Sequence, residues 1–77
     1  MENIIQKITQ QYGSEVNYIK KIGTAEIAVQ LKKDVNTTNF AQKLQDNLVD
    51  IIDDLTIVKV NVIDANGNLI ESFSSNQ

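Results

Sequence analysis

Two stretches of this chain alternate apolar and polar residues around a turn signal, and that restricts the fold more than any other feature. The first covers 15–33 and is centred on Gly23-Thr24, where glycine suits the first position of a type II′ turn. Taking those two residues as the loop sets a register. Ile22 then faces Ala25, Lys21 faces Glu26, Lys20 faces Ile27 and Ile19 faces Ala28. Further out, Tyr18 faces Val29, Asn17 faces Gln30, Val16 faces Leu31 and Glu15 faces Lys32. One face reads Val16, Tyr18, Lys20 and Ile22 with Ala25, Ile27, Val29 and Leu31. The other carries Glu15, Asn17, Ile19 and Lys21 with Glu26, Ala28, Gln30 and Lys32, so opposite charges meet at both ends. Lys20 is the exception on the apolar face, expected to extend its stem out to water.

The second stretch covers 56–74 and turns at Asn66-Gly67, the strongest short hairpin signal. That loop places Ile63 opposite Ile70, Val62 opposite Glu71 and Val60 opposite Phe73. The apolar face is then Val58, Val60, Val62, Leu69 and Phe73.

Before the first stretch and between the two, the period changes from two to 3.6. Ile4, Ile5, Ile8 and Tyr12 predict a helix over 2–12, with Gly13 as the residue that ends it. Phe40, Leu44, Leu48, Ile51 and Leu55 predict an amphipathic helix over 37–54, capped by Asn36 or Thr37. With an offset of 42, Val16 falls on Val58, Tyr18 on Val60, Ile27 on Leu69 and Leu31 on Phe73, a repeat of pattern. The expected fold is a single α+β domain over 1–77, a two-layer sandwich in αββαββ order. Two β-hairpins form a four-stranded, mainly antiparallel sheet covered on one face by two helices. The pattern does not say whether the second and third strands pair, nor in which sense.

Composition removes several kinds of chemistry. The chain has no Cys, His or Trp, and all seven basic residues are Lys, against ten Asp plus Glu for a net charge of −3. Thiolate nucleophiles, imidazole acid–base groups and the usual transition-metal ligands are therefore missing. So is the bidentate guanidinium that reads guanine or clamps phosphate. Three isolated glycines make no phosphate loop. The apolar runs are short, such as Ile4-Ile5, Leu48-Val49 and Ile51-Ile52, far from the ~20 residues of a membrane span. The first eleven residues lack the apolar centre of a signal peptide. A cytoplasmic protein with no cofactor, no metal and no membrane partner is expected, with no enzymatic activity. The eleven Ile, nine Asn and seven Lys are what A/T-rich codons encode, which points to a low-GC bacterium or its phage.

Three groups of residues are candidates for binding. Asp46, Asp50, Asp53 and Asp54 form a stripe on the outer side of the second helix. Such a stripe suits an ordinary solvated face. However, acids four apart repel, and acids near a helix C-terminus oppose its dipole, at ~0.3–1 kcal/mol per conflict. A basic protein surface would relieve both. Asp64, Asn66, Asn68 and Glu71 offer oxygen ligands, but the glycine comes fourth where a calcium loop needs it sixth, and a hairpin turn explains Asn66 and Gly67. Ile19, Ile57, Ile63 and Ile70 are expected to point away from the helices, and to merge into an apolar patch that serves as a homodimer interface. Ala28 shares that face.

The expected function is a small acidic protein-interaction module, an inhibitor or assembly accessory, that binds stoichiometrically through Asp46, Asp50, Asp53, Asp54, Ile63 and Ile70. The alternative is a nucleic-acid-associated regulator using Lys7, Lys20, Lys21, Lys33 and Lys59 of the sheet and first helix. A net-acidic chain with its aromatics in the core is a poor start for that.

Overall fold

The computed structural model describes residues 2–52 and 57–75. The elements run α1 (Glu2–Tyr12), β1 (Val16–Gly23), β2 (Glu26–Leu31), α2 (Thr37–Ile51), β3 (Lys59–Ile63) and β4 (Leu69–Ser74). The expected helix–hairpin–helix–hairpin order is present. The strands form one open sheet in the order β1-β2-β3-β4. Its two hairpins are antiparallel, while β2 and β3 pair in parallel, so the sheet is mixed. A tight turn cannot join parallel neighbours, and α2 supplies the crossover they need.

Both helices pack on one face. Ile4, Ile8 and Tyr12 of α1 and Phe40, Ala41, Leu44, Leu48 and Ile51 of α2 meet Val16, Ile27, Val29, Leu31, Val58, Val60, Val62 and Phe73 in one core. Ile27, Val29 and Leu31 of β2 and Val60 and Val62 of β3 enter that core by period-two alternation. Tyr12 and Phe40 join the helices edge to face, with ring centroids 5.4 Å apart. The Tyr12 hydroxyl accepts from Asn47 Nδ2 at 3.0 Å. Asn36 is the cap of α2, its Oδ1 accepting from the Asn39 N–H at 3.0 Å, an interaction of about 1 kcal/mol. At the other end, Lys7 Nζ lies 3.4 Å from the Ile51 carbonyl and puts a cation at the negative end of the helix. The expected helix over 37–54 is seen to Ile51; residues 53 and 54, with Leu55, lie outside the described residues.

Gly13 follows α1 as expected but for another reason. Its φ is not left-handed; a Cβ there would lie 2.6 Å from the Thr9 carbonyl oxygen, so the turn needs a residue without a side chain.

The first hairpin departs from the expected register. Gly23 ends β1 and pairs with Glu26, leaving Thr24-Ala25 as the turn. Lys21 faces Ile27, Lys20 faces Ala28, Ile19 faces Val29 and Tyr18 faces Gln30, one residue off throughout. A second irregularity between Val16 and Tyr18 restores the expected Val16–Leu31 pair. The extra residue at Asn17 turns over the side-chain order of β1. Ile19 packs against the core, while Tyr18 and Ile22 are half exposed and Lys20 is exposed. The expected charge pairs are also replaced. Glu15 pairs with Lys43 at 3.0 Å, and Glu26 accepts from Asn61.

The second hairpin keeps the expected Val60–Phe73 and Val62–Glu71 pairs but not the two-residue loop. A bulge makes Leu69, not Ile70, the partner of Ile63, and the turn spans 64–68. The Gly67 N–H donates to the Asp64 carbonyl at 3.1 Å, and Gly67 has φ 91°, a value that favours glycine. Leu69 is 62% exposed and leaves the expected apolar face. The 42-residue pattern therefore fails at two of its four pairs: Tyr18 and Leu69 are exposed where Val60 and Ile27 are fully buried.

Candidate functional site

With both helices on one side, the other face of the sheet is open, and the observed register sorts its residues into three rows. Tyr18, Gln30, Ile63 and Leu69 form the first row, and Lys20, Ala28, Asn61 and Ser72 the second. Gly23, Glu26, Lys59 and Ser74 form the third. Ile70 adjoins Leu69 at the bulge, on the open side by alternation with buried Phe73.

The middle of this face is polar and internally bonded. Asn61 is 8% exposed although it lies on the face opposite both helices. Its Nδ2 donates to Glu26 Oε2 at 2.7 Å, and its Oδ1 accepts from Ser72 Oγ at 2.9 Å. Each part of the amide is satisfied, as a buried amide requires. Beside it Ala28 is buried at 5%. In the first row, Gln30 Nε2 donates to the Asp64 carbonyl at 3.3 Å, which spends its polar end on the turn. That row is otherwise apolar: Tyr18 is 48% exposed, Leu69 62% and Ile70 40%.

The expected interface residues are thus only partly gathered. Ile63 and Ile70 lie at one end of the open face, although they are not directly opposed. Ile19 belongs to the core side, and its position in the expected interface is corrected by the bulge at Asn17. Ile57 is exposed, beyond the Lys59 end. Tyr18 and Leu69 replace the missing members. The sequence carried no signal for Tyr18, because a bulge is a property of the paired strands.

Asp46 and Asp50 are exposed on α2, and Asp46 Oδ1 accepts from Gln42 Nε2 at 2.9 Å. Val49, 65% exposed, lies between them in sequence. Asp53 and Asp54 lie outside the described residues. Among the described residues no three potential ligands gather closely enough to hold a metal ion. The Asp64 carboxylate instead organises its turn, with Oδ1 accepting from the Asn68 N–H at 2.8 Å and the Asn66 N–H at 2.9 Å. The bond from the Asn68 backbone is the main reason its pKa falls below the usual carboxylate value, aided by the Asn68 side chain and the Asn66 and Gly67 N–H groups.

The lysines do not converge. Lys20 and Lys59 share the open face, while Lys21 lines a depression of about 640 Å³ beside α1 with Glu2, Asn3 and Ile5. Lys7 is directed at the end of α2. Among the described residues no helix is long and apolar enough to cross a membrane.

The fold and this face together define an α+β protein with an open mixed sheet, helices on one side and a polar-centred, apolar-ended surface on the other. Compared with known proteins, the chain matches no family model, no curated protein and no solved structure.

Proposed function

We propose that this chain is a small acidic interaction module, cytoplasmic and without catalytic activity, that acts by stoichiometric binding as an inhibitor or assembly accessory. The observation that carries the reading is the clustering of Tyr18, Ile63, Leu69 and Ile70 at one end of a sheet face that the helices leave uncovered. Ile63, Leu69 and Ile70 adjoin one another, with Tyr18 across Gln30, and apolar patches of this kind mark interaction surfaces. The acidic outer side of α2 is a second surface. Asp46 and Asp50 form no ion pair among the described residues, and they would meet a basic protein and steer its approach. The scatter of Lys7, Lys20, Lys21 and Lys59 gives no support to the nucleic-acid reading.

The test is affinity capture on the immobilised chain, using a lysate of its native cells, with the Asp50→Asn/Asp53→Asn/Asp54→Asn variant alongside. A basic partner held at one-to-one stoichiometry by the parent and lost by the folded variant is the expected result. Equal capture by both would reduce the stripe to a solvated helix face. In parallel, a DNA or RNA mobility shift at ~50 mM salt and micromolar protein would revive the alternative.

A further inference from the structure

The geometry points to a second copy of this chain as the occupant of the open sheet face, packed sheet to sheet about a two-fold axis that runs along the strands between β2 and β3. This rests on reading the open face as a binding surface, and it names the partner. Such an axis keeps each row facing itself and exchanges β1 with β4 and β2 with β3. Glu26 then faces Lys59 of the partner subunit, and Lys59 faces the partner's Glu26. Lys20 faces the partner's Ser72, and small Ala28 faces the partner's Asn61. Tyr18 meets the partner's Leu69, and the covered stem of Gln30 meets the partner's Ile63. Every charge finds an opposite charge or a hydroxyl, and the apolar row finds itself.

The other aligned arrangement, a two-fold across the strands, fails on the same residues. It places Lys20 against the partner's Lys20, and Ile63 against the partner's Lys59. Like charges in opposition disfavour it. Aligned sheets pack ~10 Å apart with a modest angle between them, a spacing that side chains of this size fill. Four strands at ~4.8 Å and three rows at ~6.6 Å give roughly 400 Å² of face per copy. That is below the ~800 Å² per partner of a standard interface, so the dimer is a weak, concentration-dependent one.

Sedimentation equilibrium from 5 μM to 1 mM tests this, with circular dichroism to confirm folding. The parent is expected to dimerise reversibly within that range. Lys59→Glu sets two acids against each other at both ends of the reciprocal pair and is expected to weaken the dimer at least tenfold. Glu26→Lys combined with Lys59→Glu is expected to bring it back to within threefold of the parent. Leu69→Lys/Ile70→Lys alters only exposed side chains and is expected to be monomeric throughout. Lys20→Gln is expected to change dimerisation less than threefold, whereas the across-strand arrangement would be tightened by it, because its Lys20–Lys20 repulsion would be gone. A parent that stays monomeric to 1 mM overturns the inference, as does a dimer indifferent to Lys59→Glu. A monomer that captures a different protein through Leu69 and Ile70 also overturns it, and gives the face to that partner. The acidic-face reading is judged by the separate capture assay, so either can fail alone.

Discussion

Replacing Asn61 with aspartate changes one atom and inverts the logic of the polar centre of the sheet. In the native chain Asn61 Nδ2 donates to Glu26 Oε2 across 2.7 Å. In Asn61→Asp two carboxylates occupy that contact. A hydrogen bond to a charged acceptor is lost, at about 1.5–3 kcal/mol. Two like charges at ~4 Å repel by about 4 kcal/mol at an effective dielectric of ~20. Glu26 is only half-buried and can swing toward water, which cuts the repulsion, so the expected net loss is about 3 kcal/mol at pH 7. A 77-residue chain at ~0.05–0.15 kcal/mol per residue holds roughly 4–12 kcal/mol in total, so the effect is large. Asn61→Val is the control. It leaves no charge, suits a strand, and frees Glu26 and Ser72 to bond water, so it is expected within about 1 kcal/mol of the parent. Urea unfolding followed by far-UV circular dichroism at pH 7 and pH 4 reads both variants. Acid protonates one of the paired carboxylates, turns repulsion into a hydrogen bond and shrinks the Asn61→Asp loss. A loss under about 1 kcal/mol at pH 7, or one of equal size at both pH values, would refute the account of this contact.

Two further outcomes follow from the fold. Leu44 of α2 is fully buried in the core, and Leu44→Ala is expected to cost about 2–5 kcal/mol in urea unfolding, with the slope unchanged. Asp64 titrates lower in the folded chain than in the unfolded one, so its contribution is present above the usual carboxylate value and is lost as pH falls through the lower folded value. Asp64→Ala is expected to lower Tm at pH 7 and to approach the parent in strong acid; identical melting at pH 7 would show that the turn does not depend on its carboxylate.

The legible parts of this fold are the locally specified ones. Helix α1 occupies 2–12 as its isoleucine spacing implies, and Asn36 caps α2 through a bond to a residue three further on. The alternation of β2 and β3 places Ile27, Val29, Leu31, Val60 and Val62 in the core because a strand's own pleat sends every second side chain to one side. The candidate site was half visible. Ile63 and Ile70 could be named from alternation, whereas Tyr18 and Leu69 could not, and Ile19 was misplaced.

Period and turn chemistry act over a few residues, so the sequence by itself determined the element order, the helix faces and the inner sides of the two central strands. Only the tertiary structure decided the parallel β2–β3 pairing and the irregularities at Asn17, Ile22 and Ile70. Those depend on which strand lies alongside and on how the helices pull the sheet into contact. One extra residue in an edge strand leaves the apolar count unchanged but exchanges its two sides. That exchange put Tyr18 and Lys20 on the open face and Ile19 beneath the helices.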